Sequence, residues 1–212
     1  MISARNICKS FGPLEVLRDI SIDIIPAKVT AIVGPSGAGK TTLLQILGTL
    51  SRPDKGTLNY DDVEPLKLND RQLSKFRNSH IGFVFQMHRL LPEFNLVENV
   101  AMPALIGGVS RSEAFGRARK LIERLGLASR ATHRPAELSG GECQRAAVAR
   151  ALVNSPEVIL ADEPTGQLDM ENRLLLHRLF FELRDEFGAT FAIVTHDENL
   201  AADCDRLIHL ER

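Results

Sequence analysis

Residues 34–41 read Gly34-Pro35-Ser36-Gly37-Ala38-Gly39-Lys40-Thr41, the pattern G-x-x-x-x-G-K-[ST]. Glycines at these positions let the backbone turn several N–H groups toward one anion. Lys40 would then reach the β and γ phosphates of a nucleotide, and the Thr41 hydroxyl would ligate Mg²⁺. The same run, with Thr42, is the candidate nucleotide-binding segment. A second pair sits at Asp162-Glu163, where the apolar stretch Val158-Ile159-Leu160-Ala161 ends in two adjacent carboxylates. An Asp at such a strand end can order a Mg²⁺ shell. Glu163, one residue on, would face the γ-phosphate and could act as general base on an attacking water. A third run, Leu138-Ser139-Gly140-Gly141-Glu142, combines a Ser N-cap, two glycines and a Glu three positions later. That is a capping box opening a helix whose bare, positively polarised end suits an anion.

These groups need rigid elements behind them. Val29-Thr30-Ala31-Ile32-Val33 reads as a buried strand entering the glycine loop. Thr41 to Leu47 reads as the helix leaving it, with Leu43, Leu47 and Leu50 on one face. Upstream, Leu14, Val16, Ile20, Ile22 and Ile24 alternate with mostly polar neighbours at period two, which predicts β-structure in the first 33 residues. Thr57 to Tyr60 reads as a short strand, Asn69 to Arg77 as a helix, and Ile81-Gly82-Phe83-Val84-Phe85 as a strand closed by Gln86. Between roughly 87 and 155 the pattern turns helical. Ser110 and Glu113 form another capping box, followed by Ala114, Ala118, Leu121, Ile122 and Leu125 at helical spacing, and Gly126 can end that helix. The helix opened by Ser139 runs to about Val153. A long helix carries Leu176, Leu179, Phe180, Leu183 and Phe187 on one face, and Phe191-Ala192-Ile193-Val194 is a further strand. Strands separated by helices imply a mostly parallel α/β sheet covered on both sides. The expected layout is a single domain over 1–212. A core and an antiparallel β subdomain occupy 1–86 and 156–212, with an inserted α-helical subdomain over 87–155.

Bulk composition narrows the setting. The 212 residues are 44% hydrophobic and 25% charged, with a net charge of −1. No basic stripe with interleaved aromatics is present, which argues against nucleic acid as a partner. Cys8, Cys143 and Cys204 form no metal spacing and no disulfide framework, so a reducing compartment fits. The longest apolar run, Val100 to Val109, contains Pro103, Gly107 and Gly108 and falls short of the about twenty residues a span needs. The N-terminal residues show no signal-peptide core.

The loop at 34–41, Gln86, Leu138-Ser139-Gly140-Gly141-Glu142, Asp162-Glu163 and His196 occur in the order seen in ATP-binding cassette (ABC) ATPases. The resemblance covers nearly the whole chain. It implies the P-loop NTPase fold of that family, ATP and Mg²⁺ as cofactors, and a head-to-tail homodimer with each ATP between one subunit's 34–41 loop and the partner's Ser139-Gly140-Gly141. By matching position, Gln86 resembles the glutamine that touches Mg²⁺ and the attacking water. His196 resembles the switch histidine that orients water and Glu163. Asp169, in Gly166-Gln167-Leu168-Asp169, resembles the D-loop aspartate that couples the two sites. Phe11 resembles the aromatic that stacks on adenine. The catalytic set so implied is Glu163, His196, Gln86 and Lys40, and the metal set is Thr41, Gln86 and Asp162.

The runs 85–94 and 96–103 are similar to the lipoprotein-releasing (Lol-type) ATPases, and Asp162-Glu163-Pro164-Thr165-Gly166 to the wider group holding those, exporters of the MacB kind and the FtsE division ATPase. This implies permease partners, lipoprotein as cargo, and a place at the cytoplasmic face of the inner membrane with membrane contact only through the permease. An FtsE-like regulatory ATPase, a MacB-type efflux ATPase and a soluble ABC ATPase stay open as alternatives. Leu90, Leu91, Pro92 and Phe94 could form the groove for a permease helix, or lobe core. Two positions depart from the family pattern. Cys143 stands where a longer polar or basic residue is usual, and Gln167 where this subgroup usually has Asn or Ser.

Overall fold

The computed structural model describes residues 1–211. Five short strands form one parallel sheet in the order β5 (Ile81–Val84), β6 (Val158–Asp162), β7 (Phe191–Val194), β3 (Val29–Val33) and β8 (Arg206–His209). The inner strands are almost wholly apolar and buried, as strands covered on both faces must be. A second, antiparallel sheet has the order β2 (Leu14–Ile24), β1 (Ile2–Phe11) and β4 (Lys55–Tyr60). Helix α1 (Lys40–Leu47) packs between the two sheets through Leu43, Ile46 and Leu47, all fully buried. Burying one such side chain contributes roughly 1.5–3 kcal/mol. Among the described residues no helix is long and apolar enough to cross a membrane.

The period-two reading of the first strands needs one correction. Leu17, not Leu14 or Val16, enters the core, while Ile22 and Ile24 do lie inside. The inward phase slips between them because the β1–β2 register shifts. Asn6 and Asp19 both take left-handed backbone, φ 51°, and the Asn6 amide donates to Asp19 Oδ1 at 2.7 Å across the irregularity. A bulge of this kind moves every later side chain to the other face.

Helix α2 (Asp70–His80) starts where expected, capped by Asn69 in a full capping box with Gln72, but runs one turn past Arg77. Leu50 does not share a face with Leu43 and Leu47. The helix ends at Gly48, Thr49 turns left-handed at φ 57°, and Leu50 is exposed. Helices α3 (Leu96–Ile106), α4 (Arg111–Arg124) and α5 (Gly140–Leu152) pack on one another through Val97, Val100, Ala104, Ala118, Ile122 and Ala146. Small residues let these axes approach closely. At Ser110 only half of the expected box forms: its hydroxyl accepts the Glu113 N–H at 3.3 Å. Helix α6 (Met170–Phe187) buries Leu176, Leu179, Phe180 and Leu183, but Phe187, its last residue, points to solvent. A short helix, α7 (Glu198–Asp203), leads into β8.

Candidate nucleotide site

The glycine loop leaves the carboxyl end of β3, next to the middle of the sheet, and runs directly into α1. Gly39 forms the cap of α1 with φ 84° and no side chain to block the first-turn N–H groups. A β-carbon there would lie 2.6 Å from Leu17 Cδ2 and 2.9 Å from the Val16 carbonyl, so the loop closes against β2 only with glycine. The Lys40 ammonium folds into the loop, donating to the Gly34 and Pro35 carbonyls at 2.8 and 3.1 Å. Positive charge and a helix N-terminus thus face the same spot.

Beside the loop, the Thr41 hydroxyl donates to Asp162 Oδ1 at 3.0 Å. The two residues are brought together by α1 and the end of β6. Burial holds the Asp162 carboxyl above its ordinary range and Glu163 adds to the rise, against the Thr41 hydrogen bond and the nearby Lys40. One hydroxyl and one carboxylate are hard oxygen donors, the set Mg²⁺ takes together with phosphate oxygens. These residues therefore fit that ion.

Glu163 turns sharply out of the strand. Its φ is 46°, while its N–H still donates to the Val194 carbonyl at 2.9 Å. Left-handed backbone at a non-glycine residue is costly and collects at functional positions. The turn carries the carboxylate to His196, which follows β7. His196 Nδ1 lies 2.8 Å from Glu163 Oε2, with the imidazole largely exposed and the carboxylate mostly covered. Gln86 lies on the same side: a β-carbon on Gly166, in the loop after Glu163, would come 3.3 Å from its Nε2.

Ser139 caps α5 as expected. Its hydroxyl accepts the Glu142 N–H at 3.2 Å, and Glu142 accepts the Ser139 N–H at 2.8 Å. The Ser139 N–H bond, with Arg130 behind it, holds the Glu142 carboxyl below its usual range. Gly140 faces open space. Gly141 does not, because a β-carbon there would sit 2.1 Å from Asn172 Oδ1. Asn172 also binds both carboxylate oxygens of Asp169 and receives an Arg145 guanidinium bond at 3.3 Å. Asp169 caps α6 through the Asn172 N–H. The start of α5 and the start of α6 are thereby joined. Phe11 ends β1 with its ring more than half exposed, and the Lys9 ammonium lies 5.5 Å from the ring centroid.

Several positioning groups carry no motif. Gln144, on the buried face of α5, donates to the Phe85 carbonyl at 2.9 Å, just before Gln86. Arg150, further along α5, donates to the carbonyls of His88 and Arg89 at 2.8 and 2.6 Å. Buried Asn99 accepts the Leu91 N–H and donates to the Leu91 and Phe94 carbonyls. The signal for all three is the same: a polar residue at a helical position otherwise reserved for apolar ones. Cys143, the departure from the family pattern, is buried in the helical core with its thiol 3.6 Å from the Pro135 carbonyl. Of the apolar set at 90–94, Leu90 belongs to the core, while Leu91, Pro92 and Phe94 are exposed. A groove of about 390 Å³, lined by Asn78, Phe83, Phe85, Arg89, Ile106 and Arg150 among others, has none of these four in its lining.

A glycine loop beside the middle of a parallel sheet, with an acidic strand end next to it and Glu163 paired with His196, is the arrangement of a nucleoside triphosphatase. A family model described as "ABC transporter" matches residues 17–166. The chain belongs to this family, as an ATP-binding, ATP-hydrolysing cassette. It is 58% identical to the "Lipoprotein-releasing system ATP-binding protein LolD" of Bacteroides fragilis over 99% of this chain and 97% of that one. It is likewise 58% identical to the protein of that name from Porphyromonas gingivalis, covering 99% and 96%. Among solved structures it is similar to the ATP-binding cassette MJ0796, in a dimeric post-hydrolysis state bound to ADP and Pi. The TM-score is 0.90 at 37% identity, covering 99% of this chain and 94% of that one.

Proposed function

We propose that this chain is the ATPase subunit of a lipoprotein-releasing ABC system, working as a homodimer with two ATP molecules between the copies. The observation that carries the chemistry is the paired geometry at the carboxyl ends of the sheet strands: Thr41 on Asp162, and Glu163 on His196. The relatives named for lipoprotein release, at 58% identity over nearly the full chain, support the cargo, and the dimeric cassette supports the assembly.

In this reading the backbone N–H groups of Gly34–Thr41, all but Pro35, together with Thr42 and the Lys40 ammonium, bind the phosphates, and Phe11 stacks on the adenine. Thr41, Asp162 and Gln86 hold Mg²⁺, which when bound neutralises charge on the β and γ oxygens. Glu163 takes a proton from the attacking water while His196 holds that carboxylate and the water in line. Ser139, Gly140 and Gly141 of the second copy close the γ-phosphate from the far side, and Asp169 joins the two sites. The lobe over 87–155 carries Ser139, and the groove between core and lobe at Phe85, Arg89 and Ile106 is where this reading seats the permease. No described helix crosses a membrane; in this reading the permease holds the chain at the cytoplasmic face of the inner membrane.

The test is reconstitution of the chain with its copurifying membrane subunits in lipoprotein-loaded vesicles. ATP-dependent release of lipoprotein to a soluble acceptor is expected. Turnover without release, while another substrate is exported, would assign a different cargo.

A further inference from the structure

The loop holding His196 is tied to α6 by side chains outside the motif set. Asp197 follows His196 directly and divides its carboxylate between two tasks. Oδ1 caps α7, accepting from the Asn199 and Leu200 N–H groups at 3.0 and 3.2 Å. Oδ2 faces α6, with His177 Nε2 at 3.6 Å and Arg173 Nη1 at 3.8 Å. His177 and Asp197 are almost completely covered. Burial holds the His177 imidazole below its ordinary range despite the facing carboxylate.

Arg173 and His177 stand one turn apart on the same face of α6, at the end that begins with Asp169. The Arg173 N–H donates to the Asp169 carbonyl at 2.9 Å. On its other side the loop is anchored by Thr195, whose N–H donates to Ile32 and whose hydroxyl accepts the Asp197 N–H. Arg173, Asp197 and His196 also line one pocket of about 280 Å³ with Glu163. Both contacts to Oδ2 are longer than the about 2.7–3.2 Å of an N–H···O bond.

We infer that Arg173 and His177 are positioning residues for hydrolysis, clamping Asp197 so that the start of α6 sets where His196 meets Glu163. Neither is among the residues assigned to the nucleotide. They act by fixing the backbone on which His196 is carried, and a misplacement of about 1 Å can cost on the order of 10²-fold in rate. The inference rests on the assignment of Glu163 and His196 to the water.

The experiment is steady-state ATP hydrolysis by the full chain. His177→Leu is expected to lower kcat about 5- to 30-fold, within that positional range, with KM for ATP little changed. His177→Gln, whose Nε2 reaches the place of the imidazole Nε2, is expected to restore most of the rate, and His177→Asn, whose amide is too short, is not. In an Asp197→Asn background His177→Leu should cost nothing further. Wild-type kcat in His177→Leu, or the same cost in both backgrounds, would overturn the clamp. Should His177→Leu not fold, the Gln and Asn variants decide, and equal rates for them overturn it. The two failures are distinct. Full turnover by Glu163→Gln would remove the site assignment itself, whereas a dead Glu163→Gln beside a normal His177→Leu removes only the clamp.

Discussion

His196 meets Glu163 twice: its Nδ1 lies 2.8 Å from Glu163 Oε2, and its backbone N–H donates to the same oxygen at 3.3 Å. Both contacts converge on Oε2, and in the proposed reading the other oxygen takes the proton of the attacking water. Glu163→Gln keeps the shape and removes the base. Its phosphate-release rate should fall roughly 10²- to 10⁴-fold. Turnover at the wild-type rate would take Glu163 out of the reaction.

Ser139→Arg separates binding from dimer closure. The arginine fills the face that the second copy's ATP is proposed to meet, while the Gly34–Thr41 loop stays intact. ATP binding to the single chain, read by isothermal titration, should persist, and ATP-driven dimerisation should vanish. The lost cap on α5 costs about 1 kcal/mol, too little to unfold a domain of this size. Loss of ATP binding by the single chain would show that Ser139 belongs to its own chain's pocket.

The α5 cap also titrates. Glu142 has its folded value depressed below the ordinary 4.5, first by the Ser139 N–H and then by Arg130. A depressed acid contributes stability above its unfolded value and loses it as pH falls through the folded value. The difference in melting temperature between wild type and Glu142→Gln should therefore be full at neutral pH and shrink in acid. A gap that stays constant into the acid range would mean that the charge plays no part.

Asn99 tests how the segment after Gln86 is held. It is 1% exposed and makes four hydrogen bonds, to the Leu91 N–H and to the Leu91, Phe94 and Asn95 carbonyls. Asn99→Ala removes all four bonds at a fully buried position, while the Leu91 and Phe94 backbone groups lie nearer water, so urea denaturation should show a loss of about 1–3 kcal/mol with the m-value unchanged. A loss below about 0.5 kcal/mol, the range of surface substitutions, would contradict this.

The motifs were legible because their physics is local. The glycine loop, the Asp162-Glu163 strand end and the Ser139 capping box each carry their geometry within a few residues. What stayed hidden depends on partners far along the chain. The phase slip that buries Leu17 needs Asn6 and Asp19 to meet across two strands. Leu90 and Leu91 read alike, and only the packing of α3 to α5 sends one inward and leaves the other out. Gln144 and Arg150 show only as polar residues at apolar helical positions, and the roles of these two, of Asn172 and of His177 become readable only when a neighbouring segment supplies a carbonyl, a glycine or a carboxylate. Phe187 fits the apolar face of α6 by spacing, yet the core ends one turn before it.

The central claim is that ATP joins two copies of this chain, each completing the other's site. Light scattering of the Glu163→Gln protein with saturating ATP and Mg²⁺ addresses it directly. The predicted mass is twice the 23.4 kDa of one chain, returning to the single-chain value when ATP is replaced by ADP. A single-chain mass with ATP bound, in the presence of the membrane subunits as well as alone, would contradict it.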